Sequence, residues 1–238
     1  MLIPCHNAAP YVEEALESAF SQEVDLHEVV VVDDGSTDGT GDQVRAFGDR
    51  VRYQWQANTG ISGARNAALA QATGDLIAFL DADDVWPQGS LRARLAALRE
   101  DDRIDYAFGK VEQFVSPEVA EAVVARHRAA AASAVFGAAR LAGAMLIRRR
   151  TFERVGGFDT SLRIGETLDW VARADDLGIR NQCLPELVLR RRLHATNSGL
   201  THQANRTDYL VVARAALARR RRAEMNRFVS PHVVGDPP

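Results

Sequence analysis

The sequence predicts an α/β protein with a mainly parallel sheet and helices on both faces. Three observations carry this. Short apolar runs alternate with amphipathic stretches through residue 109, the pattern of successive βαβ units. Two of those runs, Val29-Val30-Val31-Val32-Asp33-Asp34-Gly35 and Leu76-Ile77-Ala78-Phe79-Leu80-Asp81-Ala82-Asp83-Asp84, are apolar throughout and end abruptly in carboxylates, as buried parallel strands do when they deliver acids to a ligand-binding edge. At 238 residues the chain is long enough for one sizeable core.

In chain order the pattern predicts strand 1–4, helix 9–21, strand 27–33, helix 38–47, strand 51–56, helix 62–72, strand 75–81, helix 88–100 and strand 104–109. The first strand is short against the usual five or six residues. Ser36, Thr37 and Asp38 supply capping chemistry for the second helix. Past residue 110 the rhythm changes. Ser116-Pro117-Glu118 opens a helical stretch that runs into the alanine tract at 129–134, and a short apolar segment follows at 144–147. A helix starting near Gly165-Glu166 finishes at Gly178, where glycine suits the position past a helix end. Strand-like residues 184–193 and a helical tail over 204–227 complete the chain. The expected organisation is a domain over 1–200, in two halves over 1–109 and 110–200, and a basic helical tail over 201–238.

Composition narrows the class. The chain is 46% hydrophobic and 26% charged, with no apolar run near 18 residues, so no spanning helix is expected. Met1-Leu2-Ile3-Pro4 runs straight into polar residues and does not read as a signal peptide, and the two cysteines, Cys5 and Cys183, give neither a disulfide framework nor a zinc pattern. A cytoplasmic address is expected. The net charge of −3 argues against a nucleic-acid binder. Arginines nevertheless crowd 190–192 and 219–222.

Gly35 lets the backbone turn after its strand and sets Asp33 and Asp34 beside the next helix, where they either cap that helix or receive an N–H from a nucleobase. Asp81 and Asp83 are two apart, so in extended backbone they share a side and can share a cation; alone the run also reads as an acidic turn. Arg190, Arg192 and His194 fall on one face of an extended segment, either aimed at phosphate and metal or forming a solvated basic strand end. His27, His127, His202 and His232 have no partner pattern and read as surface residues.

Taken together, Pro4-Cys5-His6-Asn7, Val31 to Asp38, Asn58-Thr59-Gly60 with Ala64-Arg65-Asn66, and Phe79 to Asp84 resemble the family 2 glycosyltransferases in order and spacing, and Val155-Gly156-Gly157-Phe158-Asp159 with Gly165-Glu166 extends the resemblance. The resemblance implies a GT-A fold and an inverting transfer of a sugar from a nucleoside diphosphate donor, by family habit a UDP sugar, with Mn²⁺ or Mg²⁺ as cofactor and an acceptor hydroxyl that the residues do not identify. It implies that the half over 1–109 binds nucleotide and that the half over 110–200 faces the acceptor. Position by position it implies that Pro4 and His6 line the nucleoside pocket, that Asp34 holds the base and that Arg65 approaches base or phosphate, with Asn7, Asn58, Gly60 and Arg192 among the donor contacts. It makes Asp81 a ribose or metal contact, Asp83 a metal ligand, Asp84 their support and His194 a further metal contact. The family's usual Glu-Asp pair is here Glu166-Thr167; threonine cannot serve as a base, which leaves Glu166 ahead of Asp169, with Trp170 available to stack on an acceptor ring. Alternatively Glu166 only caps its helix and Asp169 only pairs with Arg173. Two competing functions stay open. A nucleotidyltransferase would need a basic glycine-rich loop that Cys5 to Pro10 lacks, and a non-catalytic nucleotide-sugar binder would be consistent with Thr167. The tail, with Arg214 to Arg222 beside Leu210, Val211, Leu217, Met225 and Phe228, either packs on the domain or makes a peripheral contact with the inner membrane face.

Overall fold

The computed structural model describes residues 1–116, 138–194, 197 and 207–229. Among the described residues, seven strands and seven α-helices follow in chain order: β1 Leu2–Cys5, α1 Val12–Phe20, β2 Val30–Asp34, α2 Thr40–Arg45, β3 Arg52–Gln56, α3 Gly60–Gln71, β4 Leu76–Ala78, α4 Ser90–Glu100, β5 Tyr106–Val115, β6 Met145–Arg148, α5 Arg149–Val155, α6 Glu166–Asp176, β7 Asn181–Leu193 and α7 Thr207–Val229.

β1, β2 and β3 pair in parallel, and β4, β6, β5 and β7 form a second run in that spatial order. Leu2 bridges Phe79 in parallel, with Leu80 N–H donating to Leu2 O at 3.0 Å, which joins the runs through β1 and the end of β4. The order across the sheet is therefore β3-β2-β1-β4-β6-β5-β7. Only β6 runs against the rest, antiparallel to both β4 and β5. The buried pattern of β1 and β2 on both faces is what parallel strands between two helical layers require.

Each face carries its own core. On one side Ile3, Val31, Ala78, Leu80 and Leu146 meet Val12, Leu16 and Ala19 of α1, Val44 of α2 and Leu98 of α4. On the other, Leu2, Val30, Val32, Ile77, Phe79 and Tyr106 meet Ala64 and Ala68 of α3, Phe152 of α5 and Trp170 and Val171 of α6. In α1 the buried positions are Val12, Ala15, Leu16 and Ala19, the stripe that a helix lying on a sheet presents.

Several expectations need correction. The strand expected over 75–81 ends at Ala78, because the backbone turns at Asp81, whose carbonyl accepts Asp84 N–H at 3.0 Å. The strand expected over 104–109 continues to Val115, where β7 supplies a partner, and β7 itself begins at Asn181. The apolar segment at 144–147 becomes β6, and α5 follows it without having been anticipated. Of the capping trio only Asp38 bonds the start of α2, to Thr40 N and Oγ1; Gly39, at φ 92°, holds the cap position. Gly178 does lie past the end of α6, at φ 66°. The helix expected from Pro117 and the alanine tract lie outside the described residues, as do His127, His202 and His232. Among the described residues no helix is long and apolar enough to cross a membrane.

Candidate functional site

The candidate residues gather at the C-terminal ends of β1, β2, β4 and β7, the edge at which open α/β sheets bind ligands. After β1, His6 and Asn7 are exposed while Pro4 is buried within the strand. Asn7 is held at φ 48°; its N–H donates to Ser36 Oγ at 2.9 Å, and its Oδ1 accepts Thr37 N–H at 2.9 Å, stitching the loops after β1 and β2 together. Asn58 Nδ2 lies 3.3 Å from His6 Nδ1. A side chain at Gly35 would meet the Asn58 backbone at 3.1 Å, so glycine there serves both its φ of 82° and this close approach.

Asp33 and Asp34 point to opposite faces of β2. Asp33 Oδ1 accepts Ser36 N–H at 2.8 Å and Oδ2 accepts the Tyr53 hydroxyl at 2.7 Å. Asp34 Oδ1 accepts Thr59 N–H at 2.9 Å and Gln56 Nε2 at 2.7 Å, and Oδ2 accepts Gly60 N–H at 2.8 Å. The capping alternative is thus realised, but on α3 and not on the second helix. Asp34 is buried, and through it Gln56, Thr59 and Gly60 tie the α3 N-terminus to β2.

The turn at 81–84 corrects the expectation that Asp81 and Asp83 share a side of extended backbone. Each has its own partner, a guanidinium for one and an imidazole for the other. Asp81 Oδ1 pairs with Arg65 Nη2 at 2.7 Å, and Asp83 Oδ2 lies 2.8 Å from His194 Nε2. Asp84 Oδ1 accepts Arg192 N–H at 2.9 Å. Burial, then the charges of Asp83 and Asp81, push the Asp84 carboxyl well above the usual range. Three carboxylates within one turn leave an excess of negative potential. Asp81 Oδ2 and Asp83 Oδ1 make no hydrogen bond to a described residue. Among the described residues no three acidic, histidine or cysteine side chains form a ready-made metal cage. Open carboxylate oxygens with one imidazole fit a hard dication of the Mg²⁺ or Mn²⁺ kind, which takes few protein ligands and completes its shell with substrate phosphate.

Arg65 is the centre of the second half of the site. Its side chain is 4% exposed and bridges Asp81 to Glu166 Oε1 at 2.5 Å, with the Phe158 ring 5.5 Å from the guanidinium carbon. Thr167 Oγ1 donates to Glu166 Oε1 at 3.1 Å. Burial pushes the Glu166 carboxyl up, but the Arg65 charge and the hydrogen bonds to it outweigh burial and hold it below its ordinary value of 4.5. Glu166 is therefore ionised at neutral pH. Asp169 is buried against Arg173 Nε at 2.8 Å, with Arg219 Nη1 3.6 Å away, as the ion-pair alternative anticipated.

Trp170 does not face an acceptor. It is fully buried among Phe152, Phe158 and Tyr106, and its Nε1 donates to Gly156 O at 3.0 Å; an aromatic at the fourth position after Glu166 falls on the sheet side of α6. Arg190 pairs with Glu112, while Arg192 is buried, donating to Asp83 O at 3.0 Å and pairing with Glu14, with its guanidinium 5.0 Å from the Tyr11 ring. Period two placed Arg190, Arg192 and His194 together; it could not reveal Tyr11, whose ring lies 4.7 Å from that of His194, or Asn197, whose Oδ1 accepts His194 N–H at 2.5 Å and whose Nδ2 is 3.4 Å from Asp83 Oδ2. Two grooves, about 500 and 670 Å³, lie along α4 and at the N-terminal ends of β2 and β3, and neither includes a candidate site residue.

Residues 1–118 match the family described as glycosyl transferase family 2. Those residues belong to that family. It is 39% identical over 106 residues to the uncharacterized glycosyltransferase alr2836 of Nostoc sp., a match covering 43% of this chain and 33% of that protein. It is 36% identical over 104 residues to the putative teichuronic acid biosynthesis glycosyltransferase TuaG of Bacillus subtilis, covering 42% and 41%. The matched part is thus less than half of either relative. Among solved structures, S. aureus TarS in complex with UDP-GlcNAc superposes with a TM-score of 0.70 at 19% identity, over 92% of this chain and 65% of that one. The mannosyltransferase PcManGT of Pyrobaculum calidifontis, in complex with GDP-Man and Mn²⁺, does so with a TM-score of 0.64 at 25% identity, over 92% and 63%. The fold of the chain is GT-A.

Proposed function

We propose that the chain transfers a sugar, with inversion, from a nucleoside diphosphate donor to an acceptor hydroxyl, using a bound divalent cation. The observation that carries this reading is the ion-paired chain Asp81, Arg65, Glu166 at the ligand-binding edge, with Asp83 two residues on from Asp81 and held by His194, which sets open carboxylate oxygens beside an ionised carboxylate. His6, Asn7 and Asn58 form the exposed rim for the nucleoside. Asp34 serves them through the loop that it caps. Asp83, supported by His194, and Asp81 hold the cation. When bound, that cation stabilises the negative charge that builds on the departing diphosphate. Arg65 offers a fixed fork of donors to phosphate oxygen, and Arg192 keeps the Asp83 backbone in place. Glu166 takes the proton of the acceptor hydroxyl as its oxygen bonds to the anomeric carbon and the bond from that carbon to the phosphate oxygen breaks. General-base help of this kind contributes roughly 10²–10⁴-fold.

UDP and GDP sugars are the donors to test first, since TarS and PcManGT are seen with UDP-GlcNAc and GDP-Man. The purified chain, screened against a panel of nucleotide sugars with Mn²⁺, Mg²⁺ or chelator, is expected to release nucleoside diphosphate slowly from one donor class and only with metal. A non-catalytic binder, the reading that Thr167 favours, would bind nucleoside diphosphate with metal and release none from any sugar donor in the panel.

A further inference from the structure

We propose that α7 docks this chain on an anionic lipid surface through the face it turns away from the domain. The face toward the domain is already occupied. Asp208 Oδ2 accepts Arg163 N–H at 2.9 Å, Val212 is buried, and Arg219 and Arg220 reach Asp176 at 2.8 and 3.0 Å. Apart from Val212, the large apolar residues over 210–217, together with Met225, are not used there. Leu210, Val211, Leu217 and Met225 are each more than half exposed. Leu210, Arg214, Leu217, Arg221 and Met225 follow one another at steps of four, three, four and four, a single stripe opposite Val212 that runs for about 22 Å along the helix.

The occupant follows from chemistry. Residues 209–222 contain no Asp or Glu, and among the described residues up to Arg222 none forms an ion pair with Arg214, Arg221 or Arg222. Leucine and methionine side chains can enter the acyl boundary while the interleaved guanidinium groups extend to lipid phosphates. A second copy of the chain fits this stripe poorly. Arg214 and Arg221 at the middle of a helix–helix seam would be desolvated opposite arginines of the same kind, with Glu224 the single acidic position along the stripe to offset them. The rest of the chain is acidic on balance, so the attraction belongs to this helix. The inference is independent of the sugar-transfer reading.

The test is co-sedimentation of the full chain with vesicles of phosphatidylcholine containing phosphatidylglycerol, against vesicles of phosphatidylcholine alone, together with the mass of the free protein by light scattering. Binding only to the anionic vesicles, weakened by salt, is expected. Arg214→Gln with Arg221→Gln should lower the partition coefficient about 30-fold, at roughly fivefold per arginine near the surface. Leu210→Ser with Leu217→Ser should also weaken binding, and both pairs should leave the thermal melt in place, since all four side chains are exposed. Equal binding to both vesicle types, indifference to the arginine pair, or a dimer that the serine pair dissociates without any vesicle binding would each overturn the proposal.

Discussion

Arg65 is a guanidinium shared by two candidate functional carboxylates, which makes the energetic link between them measurable. Its side chain is 4% exposed and that of Glu166 13%, so water screens their pair weakly; at an effective dielectric constant near 20, unit charges about 4 Å apart attract by about 4 kcal/mol, part of which desolvation offsets. Asp81 is 34% exposed and recovers hydration more readily if its partner is lost. Arg65→Met should therefore destabilise the fold by about 3–5 kcal/mol, chiefly by leaving Glu166 charged and unpaired. Glu166→Gln, which leaves Arg65 on Asp81, should cost about 1.5–3 kcal/mol. The double variant, which leaves no unpaired charge at position 166, should cost no more than Arg65→Met alone, giving a coupling of at least about 2 kcal/mol in urea unfolding at neutral pH with constant m. The sign with pH follows from the lowered Glu166 carboxyl. The coupling is complete above 4.5 and is lost as the pH falls through the folded-state value below it. Additivity within about 0.5 kcal/mol at neutral pH would refute the claim that this pair holds the two halves of the site together.

Other outcomes follow from neighbouring contacts. Asp34→Ala removes the acceptor of Thr59 and Gly60 N–H and should cost about 2–4 kcal/mol, read by urea unfolding, whereas Asp34→Asn should restore part of it. Trp170→Ala should cost about 3–5 kcal/mol in the same assay while leaving UDP affinity unchanged at a temperature where the variant is folded; lost affinity with full stability would return Trp170 to the site. Asp169→Asn should keep donor hydrolysis and Glu166→Gln should lower it by orders of magnitude, and the reverse pattern would exchange their roles. Burial pushes the Glu28 carboxyl up, but the Thr73 and Gly74 N–H groups, the Thr73 hydroxyl and Arg52 outweigh it and hold the carboxyl below 4.5. The stability that Glu28 adds should therefore be constant above that pH and fade beneath it, so that wild type and Glu28→Gln converge in acid-side denaturant midpoints.

Much of the first half was legible because its signals are local. The unbroken valines of β2 and the carboxylates after them follow from burial on both faces, and Gly35 from the turn that must come next. What escaped depends on partners distant in sequence. β6 is a short apolar segment like many others until β4 and β5 flank it. Trp170 is equally compatible with a ligand platform and a core until Phe152 and Phe158 fold against it. Asp34 caps a helix that begins 26 residues later, at Gly60. Asp81 and Asp83 are held by Arg65 and His194, neither of which the spacing of two aspartates could foretell.

The central claim is that Asp83, with Asp81 and His194, holds a dication that a nucleoside diphosphate shares. Calorimetric titration of UDP and GDP into wild type and Asp83→Ala, each with Mn²⁺ and with chelator, tests it most directly. The account predicts that one of the two nucleotides binds wild type far more tightly with Mn²⁺ and that the variant loses this difference. Equal affinity in wild type with and without metal, or an unchanged metal effect in the variant, would contradict it.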